Sequence, residues 1–308
     1  MFSVLRHEET AHDDAIWTCS WRQRTDENGT HDVIVTGGLD SLGKLWKWDE
    51  PNKRLVCATK LEGHSLGVIS SDISADATLA ATSSSECQIR AWNVHSDGEL
   101  QCEIDASPMD SWQIKFSPDG QLLATGAAGG KLSIYNAGDG QKVYTLDTGG
   151  KFILSVAFSP AGNLLAAASQ EGIVYLFDMN TQQLIQNFES HAMAVRAMTF
   201  MPDSQVLLTG ADDKYIKVHD IHETSHQLVS SFPGHSSWVL DVDASPTTRQ
   251  FASGSADHTV RVWDMAQRKV LHTFKEHQDQ VWGVSYNADG KRLLSVSEDK
   301  SMIVYNIP

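Results

Sequence analysis

Five times along the chain a histidine, a hydroxyl residue and a carboxylate recur in the same order: His12, Thr36, Asp40; His64, Thr82, Glu86; His191, Thr209, Asp213; His235, Ser253, Asp257; His277, Ser295, Asp299. A base beside a hydroxyl and oriented by an acid is the arrangement that activates a nucleophile for acyl transfer. One such set would nominate a hydrolase. Five near-identical sets in one chain argue for a repeated structural device, and no residue is assigned a catalytic role. Two other patterns match enzyme motifs by letter and fail by context. Gly38 to Lys44 spells GxxxxGK, but Leu45 stands where a phosphate loop needs Ser or Thr, and the stretch reads as a hairpin. His222-Glu223-Thr224-Ser225-His226 spells HExxH, yet zinc needs both histidines on one helical face and this segment joins two strands. Neither a metal nor a cofactor is expected.

The elements that carry these residues are short and alternating. From Gly234 the chain reads Gly-His, an apolar run to Ser245-Pro246, then FASGSAD, then Val-Arg-Val-Trp-Asp ending at Asp264. Each run is bounded by Gly, Pro, Ser or Asp, which predicts strands joined by tight turns. Aligning the chain on the aromatic before the closing acid places Trp46, Trp92, Tyr135, Phe177, His219, Trp263 and Tyr305 at intervals of 42 to 46 residues. That is the period of a four-stranded propeller blade, and seven copies fill residues 1–308 as one body. Residues 2 to 10 resemble the segments preceding the other histidines, while the last repeat ends at Tyr305 without such a segment. The N-terminal strand is therefore expected to pair with residues 301–307 and close the ring. Arg22 to Thr30 reads as a solvated loop.

The Gly-His opening, the period and the Trp263-Asp264 ending resemble the WD-repeat family, with looser copies of the ending in the other repeats. The resemblance implies an all-β, seven-bladed propeller. It also implies a structural role for the five sets: the turn acid holds the histidine, the hydroxyl continues the network and the strand Trp, here Trp46, Trp92 or Trp263, ends it. Repeats three and four lack the histidine and cannot build that network.

Comparing repeats separates architecture from tailoring. Four and nine positions after the histidine the residues are nearly all apolar, Ile16 and Trp21 in repeat one, Val281 and Tyr286 in repeat seven, as core positions should be. Three and five positions after it the chemistry varies from blade to blade. Trp17, Ile69, Asp110, Trp112, Phe152, Leu154, Arg196, Trp238, Leu240, Gln280 and Trp282 occupy those positions and are the candidate partner-binding residues. In WD-repeat propellers they lie on the rim of the central channel at the narrower face. Apolar patches of this kind mark binding sites. Asp212 and Glu298, just before turn acids, are expected to add negative charge beside Asp110. Aromatics with acids suit a peptide carrying an Arg and an apolar side chain.

Composition narrows the partners. The net charge of −15 and pI near 5.2 disfavour nucleic-acid phosphate and anionic lipid as direct ligands. Cys19, Cys57, Cys87 and Cys102 are far apart with no CxxC spacing, and Cys19 and Cys57 read as buried strand thiols in a reducing compartment. No signal peptide and no run of 18 apolar residues is present, so a soluble intracellular protein is expected. Within the WD-repeat family, AHDDAIW at 11–17, KFILSVAFSP at 151–160, GHSSWVL at 234–240 and HQDQVWGVSYNADG at 277–290 resemble the small subunits shared by the superkiller (Ski) complex and the polymerase-associated factor (PAF) complex. That resemblance implies a non-enzymatic scaffold, monomeric within hetero-complexes of cytoplasm and nucleus. Its partners would be a tetratricopeptide-repeat subunit and an RNA helicase of the Ski complex in cytoplasmic exosome-linked mRNA decay, and PAF subunits in transcription elongation. The alternative is another peptide-binding propeller, a histone-tail reader or ubiquitin-ligase substrate receptor.

Overall fold

The computed structural model describes residues 1–27, 29–96, 98–106, 112–222 and 225–308. Seven four-stranded antiparallel sheets stand in a ring as blades. Six blades take four strands in chain order. The seventh combines Val281–Tyr286, Arg292–Ser297 and Met302–Asn306 with the N-terminal strand Ser3–Glu8. Pairing runs from Ser3 opposite Asn306 to Glu8 opposite Met302, so the last blade is completed by the first residues of the chain, as the missing outer segment of repeat seven predicts. Closure of this kind removes an open sheet edge.

Each blade grades from apolar to mixed along its four strands. The second and third strands are buried on both faces, as in Leu164–Ser169 and Ile173–Asp178 of blade four. The outer strand of that blade, Gln183–Glu189, turns one face to solvent. Between blades the residue four places after each repeat histidine, Ile16, Val68, Val195, Val239 or Val281, is fully buried, as is Ile153 at the equivalent place in blade four. The turns follow their chemistry. Gly120 takes φ +70° in Ser117-Pro118-Asp119-Gly120, where its N–H donates to the Ser117 carbonyl at 2.9 Å and the Leu122 N–H donates to Ser117 Oγ at 2.9 Å.

The inner strand of every blade is an edge strand whose outward N–H groups face the next blade across the channel wall. At the seams from blade one to blade four and from blade six round to blade one, side chains satisfy them. Thr18 Oγ1 accepts from Ser71 N at 2.9 Å, Ser70 Oγ from Ile114 N at 3.1 Å, Gln113 Oε1 from Val156 N at 2.7 Å, and Ser285 Oγ from Trp21 N at 3.1 Å. Carboxylates do the same work elsewhere: Asp72 accepts from Phe116 N at 2.9 Å, Asp241 from Val284 N at 2.9 Å and Asp243 from Tyr286 N at 2.7 Å. These polar latches, strung along a channel that widens to a cavity of about 590 Å³, escaped the repeat comparison because their residue types differ from blade to blade.

Burial pushes the Asp241 carboxyl up to about 7. A carboxyl whose folded value lies above its unfolded one costs no stability at low pH, and the cost grows as pH rises from about 4 towards about 7. Gln113 fills the equivalent place in blade three with a neutral acceptor. Asp241→Gln is therefore expected to raise the unfolding free energy at pH 8 by about 1–2 kcal/mol, with the gain shrinking as pH falls and vanishing by about pH 4. Denaturant unfolding at the two pH values checks this, and equal stability of the two proteins at pH 8 would refute it.

Two expectations are corrected. Arg22–Asp26 and Gly29–Thr30 are strand and not loop: they extend the first hairpin of blade one, with Gln23 opposite Asp32, Arg24 opposite His31 and Thr25 opposite Thr30. Gly29 at φ +116° makes the reversal possible without side-chain strain. Cys57 sits in the outer strand Arg54–Leu61 of blade one on the exposed face, whereas Cys19 in the inner strand is buried.

Candidate partner-binding mouth of the channel

The residues five places after the repeat histidines meet at one end of the channel, and a repeated backbone device puts them there. In six inner strands the pairing register skips one residue: Ile16 and Thr18 pair on either side of Trp17, and the same skip falls at Ile69, Leu154, Arg196, Leu240 and Trp282. A bulge re-aims its unpaired residue away from the sheet face. All six, with Trp112 of blade three, line a small cavity of about 80 Å³ at this mouth. The residues three places after the histidine are tied by a second recurring bond. The carbonyls of Ala15, Gly67, Phe152, Ala194, Trp238 and Gln280 each accept the N–H of the residue before the turn acid, at 2.8 to 3.1 Å.

The aromatics form three groups. Trp17 and Trp282 stack across the seam between blades one and seven, with centroids 4.5 Å apart and planes at 19°. Trp112 meets Phe152 edge to face at 5.8 Å. Trp238, 43% exposed, carries the Arg196 guanidinium over its ring at 4.9 Å. Leu66, Met193 and Tyr215, in loops of the same end, are also exposed. Large apolar side chains in the open beside fixed aromatic pairs are what a protein-binding surface offers.

Several expected site residues are placed differently from the reading of the sequence. Leu154 and Leu240 are buried and floor the mouth without presenting surface. Asp212 and Glu298 do not offer free negative charge. Asp212 is buried and takes both Nε and Nη2 of Arg196, at 2.5 and 3.0 Å, while Glu298 accepts the indole N–H groups of Trp17 at 3.2 Å and Trp282 at 2.6 Å. A carboxylate buried next to a donor is stabilised by pairing with it, so both acids are engaged within the protein. Asp110 lies outside the described residues. Trp17, Ile69, Trp112, Phe152, Arg196, Gln280 and Trp282 are half-buried at the mouth. Their acid partners were legible in one respect: Arg196 and Asp212, like Trp282 and Glu298, are a donor and an acid 16 residues apart in one repeat.

Beneath the mouth lie the histidine sets. The His12 Nδ1–H donates to Asp40 at 3.0 Å, Thr36 donates to His12 Nε2 at 2.8 Å, and the Trp46 indole donates to Thr36 Oγ1 at 2.9 Å. The same chain runs from Trp92 through Thr82 and His64 to Glu86, and from Trp263 through Ser253 and His235 to Asp257. In blade seven the order is His277, Ser295 and Tyr305, with Asp299 on the histidine. In blade five His191 joins Thr209 and Asp213, and His219 bonds to Ser190 at 2.8 Å and Thr209 at 3.4 Å where a Trp would stand. Each set lies deep in its blade, where a substrate has no approach to the hydroxyl. The acids also accept the N–H of the residue after the histidine, Asp257 from Ser236 at 2.9 Å and Asp299 from Gln278 at 2.8 Å, which ties each rim loop to its neighbouring turn.

Burial lowers the His12, His64 and His235 values below the usual 6.5, against the raising effect of their acids. Bond direction agrees, because the carboxylate on Nδ1 can only accept and so fixes the proton of the neutral imidazole there, leaving Nε2 to accept from the hydroxyl. Glu86 is held down at about 2 although burial opposes it, by hydrogen bonds from Ser65 and His64. In blade four Glu171 turns outward to Lys151. The second histidine pattern, 222–226, falls on a hairpin tip where His222 pairs with Ser225, and Glu223 and Thr224 lie outside the described residues. Among the described residues no group of three His, Cys, Asp or Glu side chains could hold a metal ion.

Comparison with known proteins agrees with this architecture. The family described as "WD domain, G-beta repeat" matches residues 55–93, 226–264 and 268–306, and "Anaphase-promoting complex subunit 4 WD40 domain" matches 114–201 and 156–240. The chain is 37% identical to "WD repeat-containing protein SL1-17" of Schistosoma mansoni, covering 99% of both chains. It is 40% identical to "Superkiller complex protein 8" of Dictyostelium discoideum, again over 99% of both. A shorter match, 35% identical over 46% of this chain and 42% of the other, joins it to "WD repeat-containing protein VIP3" of Arabidopsis thaliana. Seven blades closed by the N-terminal strand, three matched repeats and two full-length relatives place this chain in the WD-repeat family of β-propeller proteins.

Proposed function

We propose that this protein is a non-catalytic scaffold subunit of the Ski complex in cytoplasmic exosome-linked mRNA decay, and of the PAF complex in transcription elongation. It holds partner segments on the rim at the channel mouth, and works in cytoplasm and nucleus. Its partners are a tetratricopeptide-repeat subunit and an RNA helicase in the first complex, and PAF subunits in the second. The observation that carries the reading is the mouth itself: bulges in blades one, seven and five aim Trp17, Trp282 and Arg196 to one place, beside the exposed ring of Trp238. The full-length likeness to a relative named for the superkiller complex supports the assignment of complex, and the resemblance of the four quoted segments extends it to PAF.

The geometry refines the ligand. With Asp212 and Glu298 engaged internally, the mouth is an apolar and aromatic surface, and a partner's cation would have to pair with peripheral acids such as the exposed Asp13 or Asp14. Trp238→Ala and Trp282→Ala are each expected to weaken capture by ~2 kcal/mol or more if they behave as interface hot spots. The test is affinity purification from cell extract with wild type and the double variant, read by mass spectrometry, with thermal melts to show that both are folded. Recovery of a tetratricopeptide protein with a helicase by wild type alone supports the proposal. Equal recovery by both proteins refutes the rim, and recovery of histones or ligase subunits instead supports the reader or receptor reading.

A further inference from the structure

We propose that Glu298 is a positioning residue of the mouth: one of its carboxylate oxygens clamps Trp17 against Trp282 across the seam where the ring closes, so that the aromatic platform stands preformed for an apolar side chain of the partner. The inference rests on the partner-binding reading above. Trp17 belongs to the inner strand of blade one and Trp282 to that of blade seven, at opposite ends of the chain. The two indole N–H groups converge on the same atom, Glu298 Oε2, at 3.2 and 2.6 Å. A carboxylate oxygen has two lone pairs and can accept both. The Glu298 backbone is itself pinned, its N–H donating to the Gln280 carbonyl at 2.9 Å. Blade five builds the same device with other residues, Asp212 fixing Arg196 and Arg196 lying over Trp238. Holding two rings in the bound arrangement before the partner arrives removes the ordering cost from the binding step.

This role makes a distinction that a charge-recognition role would not. Because a single oxygen receives both indoles, the amide oxygen of a glutamine can replace it, whereas a partner's cation would feel the loss of charge. Glu298→Ala is expected to shift the indole N–H resonances of Trp17 and Trp282 in a ¹⁵N-edited spectrum of the full chain and to speed their exchange with solvent, leaving the other indoles in place. Capture of the tetratricopeptide partner is expected to fall about tenfold, as for loss of an ordered hot-spot pair. Glu298→Gln is expected to keep both resonances protected and to capture within about twofold of wild type. Should the alanine variant fail to fold, Glu298→Ser removes the same oxygen and is read in the same way. Unmoved indole resonances in the truncated variant, or a loss of capture in Glu298→Gln as deep as in Glu298→Ala, would overturn the clamp. If instead Trp238→Ala and Trp282→Ala leave capture intact while Glu298→Ala still moves the two indoles, the partner-binding reading fails and the clamp stands.

Discussion

A chain lacking residues 1–9 is expected to melt at least about 10 °C below the full-length protein, because the ring loses the strand that closes it. Ser3–Glu8 covers the edge of Met302–Asn306, whose Met302, Ile303, Val304 and Tyr305 are fully buried in the closed ring. Phe2 stacks on His272 at 4.9 Å and packs on Phe274, and Leu5 packs against the core shared by blades one and seven. Uncovering these side chains, at about 1.5–3 kcal/mol each, costs about 6 kcal/mol or more, and for a chain of this size each kcal/mol is about 1.5–2 °C. The bare edge would also present unpaired N–H and C=O groups to another chain. Calorimetry gives the melting temperature and size-exclusion chromatography detects self-association through that edge. A truncated protein that melts with wild type, as a monomer, would show that the terminal strand is ornamental to closure.

Much of this molecule could be read before its structure, and the limits have physical causes. The period, the strand count and the closure by residues 2–10 follow from alternation and turn residues that every repeat must carry, because every blade solves the same packing problem. The bulges were invisible. A skipped register leaves no residue type behind, and Trp17, Ile69, Arg196 and Leu240 share a conformation without sharing chemistry. Position alone had grouped them. Ionisable residues were read by charge when their partners decided their role: Asp212 and Glu298 look like rim acids in the sequence, yet both are donors' partners within the fold. Asp241 and Asp243 follow no residue type shared by the other repeats, yet they are acceptors for a neighbouring blade's backbone. The extended hairpin at 22–33 was missed because Gln, Arg and Thr alternate there without an apolar face, so nothing in composition separates a solvated ladder from a loop.

His235→Ala is the second change expected to have a large effect, lowering stability by about 2–4 kcal/mol, because it breaks a chain whose direction is set from end to end. The Trp263 indole donates to Ser253 Oγ at 2.8 Å, the Ser253 hydroxyl to His235 Nε2 at 2.7 Å, and His235 Nδ1–H to Asp257 at 2.9 Å. Removing the imidazole strands a buried hydroxyl proton and leaves Asp257 with its bonds from Ser236 and Thr259 and the Arg261 guanidinium 3.9 Å away. Ser253→Ala should also destabilise, since it strands the buried Trp263 indole N–H and His235 Nε2, and the double variant should fall short of the sum by about 1 kcal/mol or more because the two groups share one network. The pH dependence carries a sign that separates this network from general destabilisation. The folded His235 value lies below the usual 6.5, so the unfolded chain takes the proton first and stability is lost as pH falls through that value. Asp257, held below 3.8 by His235 despite its burial, adds a second loss at still lower pH. Unfolding free energy of the wild type should thus decline more steeply than that of His235→Ala between pH 7 and pH 5, and the two curves should converge on acidification. Parallel curves across that interval would mean that the histidine is held in its blade by shape alone, and that the recurrent acid beside it serves the rim loop and nothing else.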